Sequence, residues 1–321
     1  MTMQFRALAE QAAADGAISA EEILTLRRAG WGDGAISPEE AEAIFSVNDQ
    51  LEDPSVEWAE FFVEALGEFV VNGVEPKGYV SQDQADWLVT RVDHNGALQS
   101  MTELELLVKI IEKALNVPQS LKDYVIAQVE RAVLTGEGPT RGGHLERGNV
   151  NSVEAQILRR AVFAQAGDRP AAASRSEAEM LFRLKDATLG ARNAPEWKQL
   201  FVQGVGSYLS GYTSYTPLEA PRAAELDRFM DANTPSLLRF AGRMARSDVE
   251  SGIGDTFRTL FGRKGLDKAP EVQAAAEVTT EENTWLQGQI DANNHVDEYD
   301  EALLAFLAEE KSGLAEEKSG L

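Results

Sequence analysis

The sequence predicts an all-α protein built from a tandemly duplicated helical bundle, and three observations carry that expectation. Apolar residues recur at i, i+3 and i+4 along most of the chain, while alternating strand patterns are short and rare. Residues 15–116 read a second time, degraded, over 147–246: Trp58-Ala-Glu-Phe-Phe62-Val63 matches Trp197-Lys-Gln-Leu-Phe201-Val202, Glu22–Arg28 matches Glu154–Arg160, and Glu42–Asp49 matches Glu179–Asp186. A helix end with its turn recurs three times: Trp87 to Asn95, Glu225 to Asn233 and Trp285 to Asn293. Self-similarity on this scale marks a modular array in which each unit buries its apolar face against a neighbour.

Element by element, Ser19 and Ser37 each precede a helix with an acidic residue at its third position, and Pro38 stands where a missing N–H is harmless. Trp58, Phe61, Phe62, Ala65, Leu66, Phe69 and Val70 form a stripe broad enough for a helix buried on more than one side. Leu104, Leu107, Val108, Ile111 and Leu115 line one face of another helix, leaving Glu103, Glu105, Lys109 and Glu112 for water. About five helices are expected per full module. The expected divisions are a first module over 1–134, a Gly-rich linker over 135–149 and a second module over 150–250. A basic linker over 251–276, a terminal helix-turn-helix half-unit over 277–309 and a low-complexity tail over 310–321 complete the chain. The tail belongs to an exact duplication, AEEKSGL at 308–314 and 315–321, whose terminal position favours fraying. A docking role on a full module, with Trp285 buried, is expected of the half-unit.

Composition narrows the function. A formal charge of −23 argues against nucleic acid, which needs clustered Lys and Arg, and against an anionic membrane surface. The chain has no Cys, so thiolate chemistry and disulfides are absent. No basic segment followed by an apolar core opens the sequence, and Glu64 and Glu68 interrupt its most apolar stretch, so a cytoplasmic location is expected. Its histidines, His94, His144 and His295, show no zinc-helix spacing and no visible nucleophile partner. Trp58, Trp197, Trp87 and Trp285 occupy matched positions, as core anchors would.

The strings Asp15-Gly16-Ala-Ile18-Ser-Ala-Glu-Glu22 and Asp33-Gly34-Ala-Ile36-Ser-Pro-Glu-Glu40 resemble the second half of an EF-hand calcium loop. They also resemble the helix starts of bacterial TerB-like domains, an acidic all-helical family linked to tellurite resistance and suspected of binding metal. The first resemblance implies EF-hand-like helix-turn-helix units, with calcium as the cofactor to test. Aligned on the loop, Gln11, Ala13, Ala29 and Trp31 fall at ligand positions of the first two copies. The copy richest in oxygen is Asp291, Asn293, Asp297 and Asp300, with Asp93 and Asn95 a poorer one. The alternative is that these residues shape turns and cap helices through local hydrogen bonds.

The segment from Ser236 to Pro270 carries seven basic and four acidic residues inside this acidic chain. Within it Ile253, Phe257, Leu260 and Phe261 share a helical face beside Arg258, Arg263 and Lys264, the pattern of a segment offered to a partner's groove. The competing reading packs it on the protein's own acidic modules. Three functions stay open: a non-enzymatic interaction or scaffold module with a protein partner, a divalent-cation regulator, and an enzyme using undistinguished carboxylates.

Overall fold

The computed structural model describes residues 7, 18–30, 35–51, 54–142, 147–164, 166, 173–211, 280–293 and 295–319. Among these the regular elements are helical, and the β pairing is one isolated parallel bridge between Tyr79 and Asn116. The described protein is all-α, as expected. In chain order the helices are α1 (Ala20–Gly30), α2 (Pro38–Asn48), α3 (Val56–Asn72), α4 (Gln82–Val92), α5 (Met101–Lys113) and α6 (Gln119–Thr135). A short 3-10 turn (Pro139–Arg141) precedes α7 (Ser152–Val162), α8 (Arg175–Ala187) and α9 (Pro195–Gly211). Two further helices are α10 (Thr280–Asp291) and α11 (Glu298–Ser319). The chain divides into two compact units, Met1–Tyr208 and Leu209–Leu321.

In the first unit α3 and α5 are the central pair. Ser55 caps α3 by accepting from the Trp58 N–H at 3.2 Å. Trp58, Phe61, Phe62, Ala65, Leu66, Val70 and Val71 are buried, and α1, α2 and α5 all pack on this helix. Removing each large side chain from water contributes roughly 1.5–3 kcal/mol. Phe45 of α2 meets Phe62 edge-on at 5.4 Å, and Trp87 of α4 stands against Phe45 and Phe69, both at 5.7 Å. In α5, Leu104, Leu106, Leu107, Val108, Ile110 and Ile111 are fully enclosed, a wider apolar surface than one stripe. Two expectations for this helix are corrected. Glu103 is buried, because its carboxylate closes a capping box with Ser100. Leu115 is 61 % exposed, because α5 ends at Lys113 and the helical spacing no longer applies beyond it.

Side-chain caps mark the start of many of these helices. Ser37 with Glu40, Ser81 with Gln84, Asn151 with Glu154 and Ser174 with Glu177 form reciprocal boxes, and Ser19 with Glu22 makes the same bonds. Residues that align between the two halves make matching contacts. Phe182 of α8 meets Phe201 of α9 edge-on at 5.1 Å, as Phe45 meets Phe62. Arg159 of α7 donates to Gln203 of α9 at 3.1 Å, where Arg27 of α1 reaches Glu64 of α3 at 2.7 Å. Trp58 and Trp197 are both fully buried.

The Gly-rich segment follows α6, which packs on α4 and α5 on one side and on α7 and α8 on the other, within the first compact unit. Glycine supplies the sharp turns here, with Gly136 at φ 78° ending α6. The segment is nevertheless pinned: Thr140 and Arg141 are buried, and both bond to Glu154 of α7. Helix α11 runs on through the low-complexity segment to Ser319, in keeping with its Ala, Glu and Lys content.

After α3, Gly78 adopts φ 86°, and its carbonyl accepts from Leu115 N at 2.7 Å, tying the α3–α4 loop to the end of α5. A Cβ at Gly78 would lie 2.9 Å from Leu115 Cδ1. Gly78→Ala is therefore expected to lower unfolding stability by about 1–2 kcal/mol in urea denaturation, from left-handed strain and the clash together.

Candidate functional site

The α4–α5 turn gathers polar side chains from α4, α5 and α6. It starts at Asp93, in extended backbone after Val92, and passes through Asn95 at φ 61° and Gly96 at φ 85°. Asn tolerates the left-handed region better than most side chains, and glycine enters it freely. Asp93 Oδ1 accepts from Gly96 N at 2.7 Å, and His94 N donates to the Ala97 carbonyl at 2.9 Å. Buried Leu98 anchors the far side, with its N–H donating to Gln128 Oε1 at 3.1 Å. From α6, Tyr124 donates its hydroxyl to Asp93 Oδ2 at 2.9 Å, while Gln128 and Arg131 donate to the Gly96 carbonyl. Glu103 Oε2 accepts from Gln99 N and Ser100 N, and its Oε1 lies 3.5 Å from His94 Nε2.

These contacts decide what the turn can do chemically. Both oxygens of Asp93 accept internal donors, and Asn95 contributes a backbone conformation. Burial, reinforced by the Asp93 carboxylate, pushes the Tyr124 phenol above its ordinary range, so it stays protonated near neutrality. Burial, followed by the charge of Glu103, raises the Asp49 carboxyl above its usual value, with His94 opposing. A carboxyl raised on folding contributes stability below its unfolded pKa and loses it as pH rises through the folded value. Asp49 also caps the C-terminus of α2, where negative charge is unfavourable. Asp49→Asn should therefore stabilise the protein at pH 7 by about 0.5 kcal/mol. The gain should vanish near pH 3, and thermal melts at the two pH values check it.

The α10–α11 turn uses its oxygens similarly. Asp297 Oδ1 accepts from Tyr299 N at 2.8 Å and from Asp300 N at 3.2 Å, and Asp300 Oδ2 accepts from Asp297 N at 3.2 Å. Asn293 Oδ1 accepts from His295 N at 3.0 Å, and its amide reaches toward Asp297 Oδ2 at 3.5 Å. Asn293, Asp297 and Asp300 thus come together as a helix cap, with Asp291 the exposed last residue of α10. Among the described residues no group of three or more His, Asp or Glu side chains is arranged to hold a metal ion. In the EF-hand-like strings Glu22 and Glu40 serve as capping-box carboxylates, and Asp15, Gly16, Asp33 and Gly34 lie outside the described residues. The partner-binding candidates Ile253, Phe257, Arg258, Leu260, Phe261, Arg263 and Lys264 lie outside them as well. Within the second unit Trp285, Leu286, Ile290, Leu303, Leu304 and Leu307 are buried.

Sequence reasoning misses the buried ion pairs. Lys122 of α6 meets Glu177 of α8 at 2.8 Å, and Arg141 meets Glu154 at 2.8 Å. Burial pushes Glu154 above its ordinary pKa, opposed by bonds from Asn151, Thr140 and Arg141. The boxes Asn151-x-x-Glu154 and Ser174-x-x-Glu177 are visible in the sequence, but nothing local shows that each glutamate also receives a cation from upstream. Among the described residues no helix is long and apolar enough to cross a membrane. No family model, no curated protein and no solved structure matches the chain.

Proposed function

We propose that the chain is a non-enzymatic, acidic helical-repeat protein that works as an interaction or scaffold module in the cytoplasm. The observation behind this reading is that residues aligned between α1–α3 and α7–α9 have the same structural duties: matched phenylalanine pairs, matched arginine bridges and matched capping glutamates. Tandem duplication accounts for that agreement, and duplicated helical units present extended surfaces rather than a single reactive centre. Affinity capture from a native lysate tests it, with an unrelated helical protein of equal charge as control. A partner retained saturably above that control is expected, and none retained would sink the proposal.

A divalent-cation regulator is the second reading, favoured by the oxygen-rich cap of Asn293, Asp297 and Asp300. Calcium would have to displace the backbone donors that these oxygens already accept. Under the leading proposal, calcium titrated into chelator-stripped protein gives no saturable heat and leaves the melting temperature unchanged. Stoichiometric heat lost on Asp297→Asn would transfer the assignment to the cation reading.

A further inference from the structure

Helix α1 turns Ile23 and Leu26 inward and engages α3 through Arg27 and Glu64, leaving the opposite face to solvent. On that face Leu24 is 46 % exposed, and Arg28, one turn later, is exposed with no ion-pair or hydrogen-bond partner among the described residues. Its position in the last turn of α1 suits a cation, so the charge is stable where it stands. The aligned arginine in the second half is engaged. Arg160 of α7 donates Nη1 and Nη2 to Glu105 at 2.7 and 2.6 Å, and Nε and Nη2 to Glu112 at 2.7 and 2.8 Å. One turn before it Ile157 is buried, and α5 packs on α7.

The protein therefore contains, within its first unit, an example of what covers such a face. It is a helix with two carboxylates seven residues apart, roughly 10.5 Å or two turns, and aliphatic side chains between them. A guanidinium can serve both carboxylates at once, because its donors form a planar fork. Building on the repeat proposal above, we infer that the outward face of α1 is a docking surface for an acidic amphipathic helix of a partner protein. Arg28 takes carboxylates spaced i and i+7, and Leu24 packs on the apolar residues between them. The apolar anchor sits one position earlier than on α7, since Leu24 aligns with Gln156 and Thr25 with Ile157. The partner helix thus lies rotated about α1 relative to α5 on α7.

The probe is a fluorescein-labelled peptide of the chain's own α5 sequence, residues 100–114, titrated into the full-length protein and followed by polarisation. Saturable binding is expected, weakened about tenfold or more by Arg28→Glu and by Leu24→Asp. A peptide with Glu105 and Glu112 both changed to Gln should lose a similar factor. Both substituted protein residues are exposed, so unchanged melting temperatures verify that the variants fold. Binding indifferent to Arg28→Glu overturns the inference. So does binding that falls with Arg160→Glu instead, which would mean that the peptide displaces the resident α5. An Arg28-dependent dimer seen by sedimentation without peptide also overturns it, making the occupant a second copy. Lysate capture undiminished by Arg28→Glu would refute this face while leaving the interaction proposal standing. Peptide binding at Arg28 with an empty capture would do the reverse.

Discussion

Lys122→Met is expected to lower unfolding stability by about 3–5 kcal/mol, because it strands a buried carboxylate. Lys122 and Glu177 are 3 % and 1 % exposed and lie 2.8 Å apart, joining α6 to α8. Glu177 also accepts from the Ser174 N–H at 2.6 Å, so it cannot swing away to water without opening the cap of α8. Removing the ammonium leaves the carboxylate without its partner in a poorly solvating interior. The double variant Lys122→Met with Glu177→Gln should recover most of the stability, since glutamine can keep the cap and no charge remains buried. Urea midpoints of the three proteins at pH 7 check this. A single variant that loses less than about 1 kcal/mol, or a double variant no better than the single, would contradict the account.

Trp58 and Trp197 should part company when each is changed to Phe. To Ala, both should cost about 3–5 kcal/mol, as fully buried anchors of matched helices. Their indole N–H groups differ. Trp58 Nε1 donates to Asn48 Oδ1 at 3.1 Å, whereas Trp197 Nε1 is buried with no acceptor among the described residues. The position aligned with Asn48 is Lys185, fully buried, its ammonium 3.0 Å from Asp186 Oδ1 and 5.4 Å from the Phe182 ring centre. Lysine can only donate, so it offers the indole nothing. Trp58→Phe orphans the Asn48 carbonyl, while Trp197→Phe removes a donor that was already unpaired. The first should be worse by about 1–3 kcal/mol. Equal losses in chemical denaturation, or a larger one at Trp197, would mean that the Trp197 indole is better paired than its geometry indicates.

Much of the fold can be read from the sequence, because its signals are local. The stripe from Trp58 to Val70, the boxes opened by Ser19 and Ser37 and the helical period of α5 depend on residues within two turns of one another. What escapes is set by distant partners. Periodicity assigns Glu103 to water, yet the α4–α5 turn folds over its carboxylate. Glycine content marks 135–149 as a loop, but not that Arg141 anchors it on Glu154. The candidate sites suffer the same limit in sharper form. Asp, Asn and Gly identify a turn, but an oxygen count cannot tell a ligand from an acceptor already engaged by backbone N–H groups, as at Asp93 and Asp297.

Helix α6 packs both on the helices before it and on those after it. A chain cut near residue 134, where the sequence repeat suggests a seam, would keep α6 but strip it of α7 and α8 and leave Lys122 without Glu177. Either piece would carry a raw apolar flank, prone to stick to its neighbours. On the proposal of tandem duplication, such an array does not grow by adding self-sufficient beads. Each new copy would have to arrive with a surface already cut to fit the last helix of the old one, and the two are then expected to melt together.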